Sequence, residues 1–249
     1  MSYKISYEND SVEIRNANEL RIALDLTAPE IHMELLTQLG EGISELIRND
    51  SEFLLILRKV MGTTGQSKQG FLSLFGENLG KVVTKGETIA RALAILANEE
   101  DQSFFLNALN QEGIRKCITT FYDVVDCLEW LFGKMDKIFL DLIGWDFVMG
   151  HVINTGENLG LLLKFLNEEE ERELLEKMGW DRVLECIQTV KDFSYILIGM
   201  DVGNERTLIE KITTQKLRKV IPFKTDLETL CKHLSPADAK LIREKYIGE

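Results

Sequence analysis

At 249 residues, with 45% hydrophobic and 28% charged side chains and a mean hydropathy of −0.07, the chain has the composition of a folded globular protein. It is long enough to bury a core without disulfide or metal staples. The net charge of −12 disfavours nucleic acid and anionic membrane as general partners, because phosphate binding needs a basic surface.

Residues 1–15 show brief alternation at Tyr3, Ile5 and Tyr7 and no helical period; a loose N-terminal arm is favoured over a short edge strand. From Asn16 a helical period takes over. Leu20 and Leu24 mark a short helix, Thr27 and Pro29 a new start, and Leu35, Leu36 and Leu39 a second stripe that stops at Gly40. Ile43 to Leu57 continue on a third stripe. Residues 63–70, TTGQSKQG, read as a polar, glycine-bearing loop containing Lys68.

Residues 82–118 and 152–187 then repeat one another at offsets of 70 and 69. Gly86-Glu87 answers Gly156-Glu157. Ile89, Leu93 and Leu96 answer Leu159, Leu163 and Leu166, and Asn98 with its following acids answers Asn167. A weaker copy precedes them and a partial one follows from Val220. The expectation is an all-α, armadillo/HEAT-like helical-repeat solenoid, residues 16–249, built of four-helix modules of about 70 residues. The modules would span residues 16–81, 82–151 and 152–219, with a partial fourth at 220–249 and no sheet of consequence.

Chemical motifs are scarce. The acidic runs at 99–101 and 168–171 each follow an asparagine at a helix start, where capping and the helix dipole account for them. His32, His151 and His233 form no ligand spacing, and Gly76 to Lys81 misses the phosphate-loop spacing by one residue. No nucleophile elbow occurs. No cofactor or metal is therefore expected, and an enzyme is disfavoured. Cys117, Cys127, Cys186 and Cys231 lack C-x-x-C spacing and read as small hydrophobes in a reducing compartment. With no secretory signal and no apolar run near the roughly 20 residues of a membrane helix, a cytoplasmic protein is expected.

Aromatic residues at helical spacing, including Phe105, Trp130, Phe132 and Trp145, read mostly as core. Trp145 and Trp180 each follow a glycine at a helix junction and would anchor a partner if exposed. Lys211, Lys216, Arg218, Lys219 and Lys224 fall in a stretch without acids and form a candidate docking patch for an acidic surface, that of a second copy included. Lys68, in the polar loop, completes the candidate set.

The cadence L-[ST]-x-[ED]-[ED]-x-x-x-L-L-x-x-L-G at residues 26–40, 96–109 and 166–179 resembles armadillo-type helical repeats. It is most similar to bacterial versions in the flagellar motor-switch protein FliG and in the N domain of the magnesium channel. The resemblance implies architecture, with protein docking as its usual use; torque generation and magnesium gating do not carry over. The leading expectation is a non-enzymatic adaptor or scaffold that binds a partner's amphipathic helix, or itself, along stacked helices. The alternative is a domain sensing a divalent cation or small ligand through its acidic helix starts.

Overall fold

Helices account for most of the chain in the computed structural model, which describes residues 2–7, 10–60 and 65–248. The chain divides into two units, Met1–Gly144 and Trp145–Glu249. The first holds strands β1 (Tyr3–Tyr7) and β2 (Asp10–Ile14), then α1 (Ala17–Asp25), α2 (His32–Leu39), α3 (Ile43–Leu46), α4 (Asp50–Val60) and α5 (Gly65–Ser73). It continues with α6 (Leu79–Val82), α7 (Gly86–Ile95), α8 (Glu99–Cys117), α9 (Phe121–Leu128) and α10 (Met135–Ile143). The second holds α11 (Trp145–Phe147), α12 (Gly156–Leu163), α13 (Glu168–Met178), α14 (Trp180–Cys186) and α15 (Val190–Gly199). After these come α16 (Val202–Lys211), α17 (Thr214–Val220), α18 (Lys224–Cys231) and α19 (Pro236–Ile247).

In the first unit one row of helices runs α1, α4, α7, α9, each packed on the next, and a second row runs α2, α5, α8, α10. In the second unit α12, α15 and α18 pack in the same succession, as do α14, α16 and α19. The helices α1, α4, α7, α9, α12, α15 and α18 start at residues 17, 50, 86, 121, 156, 190 and 224, so successive starts lie 33 to 36 residues apart. The recurrence is therefore half the expected module. Each recurrence holds a first-row helix, a second-row helix and, in most, a short third helix, in place of four helices in about 70 residues.

Two local devices set this spacing. A buried β-branched residue precedes each first-row helix, at Ile14, Ile47, Val83, Ile118, Ile153, Ile187 and Ile221. From Ile47 to Ile187 each is the extended residue that ends a helix, or the five-residue turn before α12, and Ile221 follows α17 in the same place. Its apolar side chain points into the core while its backbone turns the chain, and before α1, α4, α9, α12 and α15 a polar cap follows two residues later. Asn16, Asn49, Thr120, Thr155 and Thr189 each accept a backbone N–H of their own helix. Thr120 with Asp123 and Thr189 with Asp192 form full capping boxes. The second device closes the second-row helices. Gly40 and Gly144 stand there at positive φ, Gly179 does the same at the end of α13, and Asn110 inside α8 at φ 55°, breaking it into two helices. The Asn110 amide oxygen then caps Glu112 and Gly113.

The 70-residue likeness survives between alternate repeats for a packing reason. A Cβ at Gly86 would lie 2.5 Å from the Asp123 side chain, and one at Gly156 would lie 2.5 Å from that of Asp192. The Asp123 side chain, carboxylate included, occupies the space at Gly86; the Cβ and backbone of Asp192, with the Cys186 carbonyl, occupy it at Gly156.

The described residues Tyr3–Tyr7 and Asp10–Ile14 are strands and not a loose arm. β1 and β2 form an antiparallel hairpin pairing Tyr3 with Ile14 and Ile5 with Val12. Ile5 and Ile14 are buried, and Gln38 of α2 both donates to the Ser6 carbonyl and accepts the Ser6 N–H, at 3.0 and 2.8 Å. The side-chain amide stands in for a neighbouring strand.

The expected loop at 63–70 is also corrected where it is described: residues 65–70 belong to α5, and residues 63 and 64 lie outside the described residues. Tertiary packing overrides the polar composition there. Phe71 is buried in a cluster with Phe53, Phe75 and Phe105, with ring centroids 5.2 to 6.1 Å apart. Emptying one such site costs about 3–5 kcal/mol, more than a helix's worth of poor propensity.

In the second unit α12 and α15 touch backbone to backbone. A Cβ at Gly160 would stand 2.2 Å from the Tyr195 carbonyl, and one at Gly199 2.2 Å from that of Gly160. Among the described residues no helix is long and apolar enough to cross a membrane.

Candidate interaction site

The C-terminal ends of α4, α7 and α9 in the first unit enclose a crevice of about 470 Å³ lined by Arg58, Arg91, Ala94, Ile95 and Trp130. The repeat register brings these residues together. Arg58 is the ninth residue of α4, Ala94 the ninth of α7, and Trp130 follows two residues after α9 ends. Trp130 is 49% exposed and Phe132 is exposed beside it, which corrects the expectation that these two rings belong to the core. Phe105, by contrast, is fully buried as expected.

Gln102, a wholly buried side chain of α8, fixes the Trp130 backbone. Its amide donates to the carbonyls of Leu93, at 3.0 Å, and Trp130, at 2.6 Å, and its oxygen accepts the Phe132 N–H at 3.1 Å. Three backbone groups that no helix satisfies are thus paired through one side chain. The segment after α9 is held against the end of α7, with the indole facing outward over Ile95.

The two guanidiniums differ in their commitments. Arg91 pairs with Glu87 one turn away at 2.6 Å, both side chains being well exposed. Such a pair contributes only about 0.3–0.5 kcal/mol and exchanges freely for another carboxylate. Arg58 has no carboxylate within ion-pair distance among the described residues, whereas its neighbour Lys59 is tied to Asp25 at 2.5 Å. The helix dipole favours Arg58, in the last turn of α4, but not Arg91, which lies before the last turn of α7. It does not account for the exposed indole between them.

The same row end carries a second opening. Ile5, Val12, Ile22, Ala23, Leu26 and Leu35, from the hairpin, α1 and α2, line an apolar groove of about 330 Å³. Leu26, at the register of Trp130, is 81% exposed. Glu13 and Glu19 border the groove, but Arg15 occupies both, through its guanidinium on Glu13 and its backbone N–H on Glu19.

The residues picked out from sequence are scattered. Trp145 is 7% exposed, so the condition for its anchoring a partner is not met. Lys68 is 9% exposed and pairs at 3.4 Å with the buried Asp101, which places it inside the first unit and not on a docking loop. Trp180 is half-buried, and the Lys211 ammonium lies 5.9 Å from its ring centroid, so these two are brought together. Arg218 donates to the Tyr246 carbonyl at 2.8 Å and to that of Ile247, closing the end of α19. Lys216 is half-buried, which leaves Lys219 and Lys224 as the fully exposed cations of the stretch apart from Lys211 and Arg218. Arg58, Arg91 and Gln102 were not signalled by any motif.

The acidic helix starts are absorbed by the fold. Asn98 and Asp101 bond each other, and Glu170 accepts the Asn167 N–H at 3.1 Å. Glu171, buried, accepts the Asp201 N–H and the Asn204 amide; burial pushes its carboxyl above the usual range, against those hydrogen bonds. No group of three or more His, Cys, Asp or Glu among the described residues is placed to hold a metal ion. Burial raises the Cys117 thiol to about 11 and Cys127 well above its ordinary value, which disfavours the reactive thiolate at both.

Compared with protein-family models, curated proteins and solved structures, the chain matches none.

Proposed function

We propose that this chain is a non-enzymatic protein-interaction scaffold of the armadillo/HEAT-like kind, binding a partner segment along the C-terminal ends of α1, α4, α7 and α9. One observation carries the reading: exposed large apolar side chains gather there, Ile22 and Leu26 at one end and Trp130 at the other, with Arg58 and Arg91 between. Exposed tryptophan and arginine are the residues enriched at interface hot spots. A run of apolar surface rimmed by charge marks binding surfaces in general. The recurrence of about 35 residues supports the repeat assignment, since stacked units of this length offer extended surfaces.

Site-specific photo-crosslinking tests the proposal. Benzoylphenylalanine placed at Leu26 in source cells should trap a discrete partner, while the same group at Asn107, exposed on α8 of the other row, should not. Equal trapping from both positions, or none from Leu26, overturns it.

A further inference from the structure

Granted the scaffold reading, the crevice itself specifies the partner's chemistry. We propose that the crevice of Arg58, Arg91, Ala94, Ile95 and Trp130 takes a short acidic segment of a partner polypeptide, with carboxylates on the two guanidiniums and a neighbouring apolar side chain on the indole and Ile95.

Charge complementarity is the first argument. In a chain of net −12 the crevice presents two arginines, one without a carboxylate partner among the described residues and one held only by an exposed intrahelical pair. Arginine binds carboxylate through two parallel N–H bonds and stacks on aromatic planes, so an arginine–indole site recognises an acid next to an apolar group in one contact. The second argument decides between kinds of anion. The crevice lies at the C-terminal ends of α4 and α7, where the aligned peptide dipoles leave partial negative charge. Phosphate sites use the opposite helix end, whose N–H groups point at the ligand. Singly charged carboxylates dispersed along a peptide tolerate this environment better than a compact dianion, so a nucleotide or phosphopeptide is disfavoured. The third argument is preorganisation. Gln102 bonds the Trp130 carbonyl and the Phe132 N–H and ties both to the Leu93 carbonyl, so the indole platform exists before the partner arrives and less ordering accompanies binding.

Fluorescence anisotropy on the full chain tests the assignment with labelled heptapeptides: one of alternating Glu and Phe, one with Ser for Phe, one with Lys for Glu, and labelled ATP as the phosphate probe. The Glu–Phe peptide should bind saturably and weaken with salt. Arg58→Glu, Arg91→Glu and Trp130→Ser should each weaken it by at least about 10-fold. Either altered peptide should lose at least as much. Lys240→Glu, the same charge change at an exposed lysine of α19, should leave binding within about 2-fold. All four positions are exposed, and circular dichroism verifies each fold. Equal binding of the Lys peptide, tighter binding of ATP, indifference to both arginine variants, or no binding up to about 1 mM, a free energy of only about −4 kcal/mol, overturns the proposal. If the Leu26 crosslink persists while the acidic peptide fails, the scaffold stands and the chemistry assigned here falls. If the crosslink fails, the scaffold falls whatever the peptide does.

Discussion

Gln102 in the first unit and Glu171 in the second stand 69 residues apart, at the same place on α8 and α13, and perform the same task with different chemistry. Each is buried, and each reaches the backbone just after a first-row helix: Gln102 accepts from Phe132, and Glu171 from Asp201, again 69 residues on. The amide also donates, so Gln102 ties down the carbonyls of Leu93 and Trp130 as well. The carboxylate has nothing to donate and gathers N–H groups alone, Asn204 among them. What stands over each clamp differs accordingly. The first holds Trp130 outward beside a crevice; at the equivalent place in the second stands Gly199, pressed against Gly160 with no room for a side chain. Positions 69 residues apart thus differ: at one a donor holds a large ring out beside a crevice, and at the other a glycine lets two backbones meet.

The largest effects come from filling the second arrangement. Gly199→Ala places a methyl 2.2 Å from a backbone carbonyl, which must move, and a loss of about 3 kcal/mol is expected. Urea unfolding followed by circular dichroism would show it as a lower midpoint; an unchanged midpoint would mean that α12 and α15 are less closely packed than described. Next comes Gln102→Glu. At neutral pH a carboxylate there faces two carbonyls without a proton to give, for a loss of about 2–3 kcal/mol. Acid should return part of it, because the protonated group donates once. If the variant is as stable as the parent at pH 7, the Gln102 clamp is not what fixes the 130–132 segment.

How much of this was legible follows from how local each cause is. The all-helical character, the caps at Asn98 and Asn167, and the equivalence of Gly86 with Gly156 all lie within a few residues of their cause, and the hydrophobic period announces them. The halved recurrence was legible too, in Ile14, Ile47, Val83, Ile118, Ile153, Ile187 and Ile221, but one β-branched residue per turn of the pattern is faint among variable neighbours. The stronger likeness of alternate repeats hid it, since Asp123 and Asp192 impose glycine at only two of the starts. The hairpin was missed because five alternating residues are indistinguishable from a polar tail until Gln38, 32 residues from Ser6, is brought alongside. The crevice had no signature at all. Arg58 and Arg91 come from two helices and Trp130 from the segment after a third, and each alone reads as an ordinary surface residue. Only the stacking of those helices makes them neighbours.

A smaller effect should follow from removing the charge of the second clamp. Burial raises the Glu171 carboxyl, so its contribution to stability is full where the group is protonated, below the unfolded value of about 4.3, and is lost as pH rises through the higher folded value. Glu171→Gln keeps an acceptor for the Asp201 N–H and removes the desolvated charge. The variant should therefore match the parent near pH 4 and melt higher at pH 7, by about 2–4 °C if the gain is near 1 kcal/mol. A variant that melts lower at pH 7 would show that the two hydrogen bonds to Glu171 outweigh its burial.

The smallest expected change in stability is the most informative for the comparison. Trp130→Ala creates at this position the same residue as Gly199→Ala creates at its equivalent, yet the two should diverge. Half of the indole already faces water and the rest covers a crevice, so little buried area is lost. The Gln102 bonds go to the backbone of residue 130 and survive the truncation. The loss should stay within about 1 kcal/mol, typical of a surface position, and the unfolding midpoint should barely move. Tryptophan fluorescence separates the contributions in the same sample. Trp145 is buried and Trp180 half-buried, so the variant should lose the component most accessible to acrylamide and keep the protected one. If Trp130→Ala instead destabilises as strongly as Gly199→Ala, the indole is a structural wedge between α7 and α9, and the first unit's row end is a helix contact like its counterpart in the second.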